Sequence, residues 1–259
     1  MIDDRRFRQL IDRLGLSWQG YVRVRKGVKK RICRHMEALA CRTVDDYLNA
    51  LNNPEILKEC KFLFCVSVSR FFRDHHLWQL MEGEIIPDIV GRYSEKLDIW
   101  SAGCALGQEV YSFAIVWDRI KMKYRHVPRL FIHATDSNPE YLKKAGEGVY
   151  SLKSLKGLSE EIKTNYFHRN TGESDYGVVD SLKRDIQWEL HDMIAQPPLP
   201  GRFQIIFLRN NLLTYYRAER IERVFLKIID SLDEGGFLIV GRHEKLFFLP
   251  HLLNFTCFK

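Results

Sequence analysis

Apolar residues recur every three or four positions along the first third of the chain. Phe7, Leu10, Ile11 and Leu14 form the first such set, and similar spacing returns between residues 44 and 64. An amphipathic helix has this spacing because 3.6 residues complete one turn and the apolar positions then share one face. The pattern predicts an all-helical N-terminal segment.

The pattern changes at Leu97, where short runs rich in Ile, Phe, Leu and Trp begin. Helical segments over residues 109–122 and 218–232 separate most of these runs, and this alternation is typical of a doubly wound α/β sheet. The predicted strands read LDIW, LFIHAT, IQWEL, FQIIFL and GFLIVG. Residues 150–192 are more polar and hold the turn cluster HRNTGESDYG, which predicts a small insertion on the sheet.

Length and composition favour a globular protein with one large core and a smaller second domain. The chain has 259 residues, 46% of them hydrophobic, and no apolar run approaches the ~20 residues of a membrane span. The segment MIDDRRFRQL has no apolar stretch behind its charges, so we expect a cytoplasmic protein. The six cysteines show neither a Cys-x-x-Cys pair nor a zinc-like His spacing, which predicts reduced thiols without a disulfide or metal site.

Positive charge is concentrated near the N-terminus. Residues 1–80 hold 16 Lys and Arg against 9 Asp and Glu, and this excess equals the net charge of +7 of the whole chain. Residues 21–34, YVRVRKGVKKRICR, contain no acid. Most charge runs are solvated helix faces, but cations this close repel one another, which favours an acidic or polyanionic partner. Nucleic acid and an acidic protein surface both fit.

A glycine-bearing loop follows the first predicted strand. It holds Gly103 and Gly107 ahead of a helix, so the backbone turns tightly where free N–H groups face a ligand. Asp136 ends the next strand, where a carboxylate accepts hydrogen bonds from ribose hydroxyls; it also suits capping of the helix near Pro139. The loop does not match G-x-G-x-x-G, which favours a smaller nucleoside ligand over a dinucleotide.

Five ordered sequence blocks carry a family resemblance: SVSRFFRDHHLW, WSAGCALGQEVYSFAI, ATDSNPEYLKKAGEGVYS, FQIIFLRNNLLTYY and GGFLIVGRHEKL. They resemble the chemotaxis receptor methyltransferases (CheR family), protein-glutamate O-methyltransferases that use S-adenosyl-L-methionine. The resemblance implies a Rossmann-like methyltransferase domain over 81–259, a helical receptor-docking domain over 1–80, and a small β-subdomain inserted at about 163–190. It runs from about Phe7 to the C-terminus.

Matching positions give individual residues an implied role. Arg73 matches the active-site arginine and would orient the substrate carboxylate as the catalytic residue, although a surface helix arginine fits the same place. Asp136 would hold the ribose, and Asp192 matches the adenine contact or is a turn residue. The other implied cofactor-binding residues are Ser67, Ser69, Gly103, Gly107, Gln108, Asn210 and Asn211, with Phe71, Phe72 and Tyr215 as pocket walls or core.

The chain departs from the family pattern at several of these positions. Leu106, Gln108 and Val110 stand where the family reads threonine, glutamate and proline, and Ser67 and Ser69 replace its Asn-x-Thr. The usual tyrosine after Arg-Asn is displaced, leaving Thr214 and then Tyr215. Gln108 for glutamate removes a negative charge near a cationic cofactor, which costs affinity.

The resemblance also implies partners. The basic segment 21–34 would dock on the acidic methylation region of receptors, the β-subdomain would tether receptor tails, S-adenosyl-L-homocysteine would be the product, and we expect a monomer that does not insert into membranes. A non-catalytic docking or scaffold module stays open because of the loop departures. A nucleic-acid methyltransferase fits less well, because the Pro197-Pro198 pair precedes the strand that an amino-methylase motif would follow.

Overall fold

The computed structural model describes residues 2–66, 69–169, 175–244 and 246. These residues form two compact units. The helical unit is built from the described residues of 1–66, 209–226 and 243–259, and the sheet unit from those of 67–208 and 227–242. Neither unit is one continuous piece of chain.

The helical unit contains the predicted N-terminal helices. Asp3 accepts a hydrogen bond from the Arg6 amide at the start of the first helix, and Gly15 ends it with φ 66°. Phe7, Leu10, Ile11 and Leu14 are all buried, which confirms the periodicity of this helix. The helices are α1 (Asp4–Leu14), α2 (Trp18–Tyr21), α3 (Arg25–Ala38), α4 (Val44–Ala50) and α5 (Pro54–Phe64), joined by the later α12 (Leu212–Tyr215) and the start of α13 (Ala218–Asp230).

Aromatic rings fill the centre of the helical unit. Phe7 stacks on Phe64 at 5.8 Å between ring centroids, and Tyr21 meets Phe64 edge-on at 5.4 Å. Tyr215, which is far from both residues in the sequence, packs against Tyr21 at 5.0 Å. Burial of aromatic area at this density stabilises the packing of helices from distant parts of the chain.

The sheet unit carries a five-stranded parallel sheet with the order β6-β2-β1-β7-β8. Its strands contain the five runs predicted from the sequence, except for the last glycine of GFLIVG, so the doubly wound α/β fold is confirmed. β7 is buried along its whole length, as expected where both faces of a parallel sheet are covered. The strands are β1 (Lys96–Ala102), β2 (Arg129–Asp136), β6 (Ile186–Leu190), β7 (Phe203–Leu208) and β8 (Leu232–Val240).

Helices cover this sheet, and α8 is the longest of those that the structure describes in this unit. Its buried positions include Val110, Phe113 and Trp117. A π-helical turn over Met81–Ile85 continues α6 into α7. None of the helices among the described residues is long and apolar enough to cross a membrane. The helices are α6 (His75–Leu80), α7 (Ile86–Arg92), α8 (Gln108–Lys123), α9 (Pro139–Glu147), α10 (Glu160–Tyr166) and α11 (Asp180–Lys183), with the end of α13.

A separate three-stranded antiparallel sheet has the order β3-β5-β4 and consists of β3 (Val149–Ser151), β4 (Phe167–Arg169) and β5 (Asp175–Val178). It therefore begins before the insertion expected at about 163–190. Residues 186–190 lie outside it and form β6, because Ile186 and Trp188 pack on the main core. Likewise, Phe71 and Trp78, expected in the domain 1–80, are buried in the core of the sheet unit.

Candidate active site

The loop between β1 and α8 lies at the carboxyl end of the parallel sheet, where doubly wound folds bind ligands. Three of its residues adopt positive φ: Gly103 at 83°, Ala105 at 49° and Gly107 at 82°. The amides of Gly103 and Cys104 both donate to the Thr135 carbonyl, each at 2.8 Å. These bonds fold the loop over the end of β2.

Gly107 is fixed by the protein around it. A methyl group added there would stand 3.0 Å from both the Ala145 Cβ and the Trp188 ring, and 3.2 Å from the Tyr150 hydroxyl. Tyr150 donates its hydroxyl to the Leu106 carbonyl at 2.6 Å. Tyr150 and Trp188 were missed by the sequence reasoning, because an aromatic residue in a strand gives no sign of which loop it will support.

The Asp136 carboxylate binds backbone amides in the loop after β1 and in the loop after β2. Its Oδ2 accepts from the Ala105 amide at 2.9 Å, and its Oδ1 accepts from the Asn138 amide at 2.9 Å. Asn138, rather than Asp136, caps α9 by accepting from the Glu140 amide. Burial raises the pKa of Asp136 above its ordinary value, and the backbone N–H donors oppose that rise. Each carboxylate oxygen keeps a second lone pair that can accept from a ribose hydroxyl.

Asp192 lies beside Asp136 because β6 pairs with β2 and the His191 amide donates to the Asp136 carbonyl at 3.0 Å. The Asp192 Oδ1 accepts from the Ile194 amide at 2.9 Å, so the side chain also shapes the turn that follows. The side chain is half-buried at the edge of the sheet. A carboxylate here can accept from an exocyclic amino group.

Arg73 is held against the start of α8. The Phe72 amide donates to the Ser112 hydroxyl at 2.9 Å, and the Trp78 indole donates to the Arg73 carbonyl at 2.8 Å. Ser112 in turn donates to the Gln108 carbonyl at 2.7 Å. Phe72 has φ 48° and Asp74 has φ 60°, so left-handed residues flank the half-buried arginine. Such strained backbone persists only where the surroundings hold it.

In the first turn of α8, the Gln108 side chain is buried and the Glu109 side chain is half-buried. Gln108 is 4% exposed, and within the described residues its Oε1 has no hydrogen-bond partner. Glu109 is half-buried and accepts from the Ser101 hydroxyl at 3.1 Å. A carboxylate therefore remains at the start of this helix one residue beyond the position where glutamate was expected. The sequence reasoning did not single out Glu109.

The other predicted site residues that the structure describes are divided between the two units. Ser67 lies outside the described residues, and Ser69 is half-buried four positions before Arg73. Asn210, at φ 55°, and Asn211 belong to the helical unit; the Asn210 amide donates to Glu244 Oε2 at 2.8 Å. Phe71 and Phe72 pack in the core of the sheet unit, and Tyr215 packs in the core of the helical unit.

These residues fit a nucleoside cofactor with a charged amino-acid part. The unpartnered Gln108 oxygen needs a donor, since a buried acceptor without one costs about 1–3 kcal/mol. Asp136 and Asp192 supply acceptors at neighbouring strand ends for ribose hydroxyls and a base amino group. Among the described residues, no cluster of three or more His, Cys, Asp or Glu is arranged to hold a metal ion.

Similar proteins point to the same cofactor. The family described as CheR methyltransferase, SAM binding domain, matches residues 67–257. A chemotaxis protein methyltransferase of Listeria innocua is 31% identical over 220 residues, covering 85% of this chain and 81% of its own. A putative methyltransferase, Cher3, of Pseudomonas putida is 28% identical over 253 residues, covering 95% and 90%.

Among solved structures, the N-methyltransferase NodS of Bradyrhizobium japonicum in complex with S-adenosylhomocysteine aligns with 65% of this chain and 63% of its own. It has a TM-score of 0.35 and 12% identity, a likeness too distant to carry an argument. The family match covers well over half of the chain and includes the loop, Asp136 and Asp192. The chain belongs to the CheR methyltransferase family and uses S-adenosylmethionine as its cofactor.

Proposed function

We propose that this protein transfers a methyl group from S-adenosylmethionine to glutamate carboxylates of chemotaxis receptors, forming glutamyl methyl esters. Relatives named chemotaxis protein methyltransferase support the substrate class. The observation that carries the proposal is a row of exposed cations on α3 and in the turn just before it, because a polypeptide rich in glutamate is the partner that such a row favours.

Three of the seven cations in residues 21–34 bind other groups of the helical unit, and the other four form the cationic row. Arg25 and Lys29 both pair with Asp4, at 3.2 Å and 2.6 Å, and Arg31 donates to the carbonyls of Leu63 and Cys65. The remaining four cations are exposed, and no ion pair is recorded for them among the described residues. Three of the four repeat every fourth position and so share one face of α3. The cationic row consists of Arg23, Lys26, Lys30 and Arg34.

The main task of the protein in this reaction is to position the substrate carboxylate and the methyl donor. When bound, the cofactor supplies a sulfonium methyl group that an ionised carboxylate attacks in line, so no general base is required. Arg73 orients the incoming glutamate through a two-pronged contact with its carboxylate. Asp136 holds the ribose hydroxyls, and Glu109 sets a negative charge beside the cationic part of the cofactor. The family resemblance also assigns cofactor contacts to Asn210 and Asn211.

The proposal also covers how a receptor tail binds, the oligomeric state of the protein and its cellular compartment. The three-stranded sheet β3-β5-β4 offers strand edges to which the tail of a receptor could add as a further strand. A monomeric, cytoplasmic enzyme acting on the acidic methylation region belongs to the same proposal.

The test is transfer of the labelled methyl group of S-adenosylmethionine to purified cytoplasmic receptor fragments. We expect label that alkali releases as methanol, because esters hydrolyse at high pH whereas N-methyl groups do not. Arg73→Ala should lower kcat/KM by at least about 100-fold, the loss of a charge-assisted contact of ~3 kcal/mol. Arg70→Ala, an exposed arginine three residues earlier, is the matched control and should keep the rate. Alkali-stable label, or full rate in Arg73→Ala, would contradict the proposal.

A non-catalytic docking role is the second candidate function. One observation favours it: Thr214, at the position where the family has tyrosine, donates to Glu244 Oε1 at 2.6 Å, while Tyr215 packs into the helical core. The docking role predicts tight binding of receptor fragments without methyl transfer in the same assay.

A further inference from the structure

His191 is a buried polar residue that the reaction outlined above does not use. It follows β6 directly, is 5% exposed, and packs its ring edge-on against Trp100 at 5.9 Å. Its amide extends the pairing of β6 with β2 by donating to the Asp136 carbonyl. The backbone of this residue therefore joins the end of β2, at Asp136, to the loop that begins with Asp192.

The imidazole is hydrogen-bonded at one nitrogen. Nε2 lies 2.8 Å from the Pro197 carbonyl oxygen, and because a carbonyl can only accept, the proton of this bond belongs to Nε2. Nδ1 has no hydrogen-bond partner in the described part of the chain. Burial of a polar ring with one nitrogen unsatisfied costs free energy, and the Nε2 bond to Pro197 is the hydrogen bond that the described residues give this ring.

That bond closes the loop that carries Asp192. The chain leaves β6 at His191, and the Nε2 bond joins His191 to Pro197, six residues later and before β7 begins at Phe203. Inside the loop, the Asp192 amide donates to Gln196 Oε1 at 2.7 Å, and the Asp192 carboxylate takes the amides of Ile194 and Ala195. The orientation of Asp192 thus depends on a turn whose far end is anchored by His191.

We propose that His191 is a positioning residue for recognition of the cofactor base. The glycine loop after β1, Asp136 after β2 and Asp192 after β6 follow the sheet order, so an elongated cofactor meets its amino-acid part, ribose and base in that sequence. His191 holds the Asp192 carboxylate where the 6-amino group of adenine donates to it. This inference rests on the proposed assignment of Asp192 to the base.

The test compares His191→Asn with His191→Gln. The glutamine amide nitrogen is as many bonds from Cα as Nε2 and can still donate to the Pro197 carbonyl, whereas the asparagine amide is one bond shorter and cannot reach it. Calorimetry measures the dissociation constants of S-adenosylhomocysteine and of its inosine analogue, in which oxygen replaces the 6-amino group. The ratio of the two constants reports base recognition, because a general loss of folded protein weakens both ligands equally.

We expect the unaltered protein to prefer the adenine compound by at least about tenfold, since the analogue leaves the carboxylate without its donor. In His191→Asn the preference should fall below about threefold, and in His191→Gln it should stay within about twofold of the original. An unchanged ratio in His191→Asn, or equal loss in both variants, would overturn the role of His191.

Asp192→Ala separates this inference from the assignment beneath it. If Asp192→Ala keeps the preference, Asp192 does not contact the base and the inference on His191 fails with it. If Asp192→Ala loses the preference while His191→Asn retains it, the assignment of Asp192 stands and only the role of His191 is overturned.

Discussion

At the scale of single residues, the proposed contact of Asp136 with the ribose predicts that cofactor affinity depends on pH. Burial raises the pKa of its carboxyl in the free protein, and hydroxyl donors on a bound ribose favour the ionised form, so binding lowers that pKa. Affinity must then rise with pH between the two values. We expect the dissociation constant of S-adenosylhomocysteine, measured by calorimetry between pH 7 and pH 5, to increase on acidification. Asp136→Asn should bind weakly with no such dependence, and an equal slope in both proteins would contradict this role.

The different burial of Gln108 and Glu109 predicts different effects of their substitution on cofactor affinity and on stability. Glu109→Gln should weaken S-adenosylmethionine by about tenfold and S-adenosylhomocysteine by less, because only the former carries the sulfonium charge. Gln108→Glu should instead lower the melting temperature, since a carboxylate at a position 4% exposed costs several kcal/mol to bury. Calorimetric titration measures the affinities of Glu109→Gln for the two ligands, and thermal unfolding measures the melting temperature of Gln108→Glu. Equal losses for the two ligands in Glu109→Gln would exclude the charge effect.

At the scale of elements, the loop between β1 and α8 depends on its second glycine. Gly107→Ala should destabilise the protein by about 2 kcal/mol or more, because alanine is strained at φ 82° and its methyl group stands 3.0 Å from Ala145 and Trp188. Gly27→Ala is the opposite control: it lies inside α3 with nothing within 4 Å, and should stabilise by about 0.5–1 kcal/mol. Urea unfolding measures both. A neutral Gly107→Ala would mean that the loop relaxes freely.

The positions of helices and strands could be predicted from the sequence, but the contacts between their side chains could not. The five strands and the buried face of α1 followed from periodicity, because burial on one or both faces leaves a repeating trace in the sequence. The support of the glycine loop by Tyr150 and Trp188 left no such trace, since it joins residues far apart in the chain. The same reason explains Asp136: its position at a strand end was readable, but its bonds to Ala105 and Asn138 were not. The burial of Gln108 beside the accessible Glu109 depends on the rotation of α8, which spacing alone does not fix.

At the scale of the whole molecule, the proposed docking of receptors on the cationic row predicts that receptor binding depends on salt concentration. Replacing Lys26 and Lys30 with glutamate should weaken binding of an acidic receptor fragment at least about tenfold at low salt, and the difference should shrink as ionic strength rises. Lys58→Glu, an exposed lysine on α5, is the control and should have little effect. Fluorescence anisotropy of a labelled receptor fragment across a salt series measures this. A loss that is independent of salt would point to misfolding rather than to charge.

The helical unit is assembled from both ends of the chain, and this affects how the protein is made. Ser17 donates its amide to the Tyr215 carbonyl at 2.8 Å, and Arg220 donates to the Leu14 carbonyl across 206 residues of sequence. During synthesis, the first helices must therefore wait for most of the polypeptide before their packing is complete, and contacts of such long range slow folding. A fragment of residues 1–80 should show weaker cooperativity on thermal melting, followed by circular dichroism, than the full chain. Its exposed aromatic faces would meanwhile be surfaces for chaperones, so the N-terminal helices mature last although they are translated first.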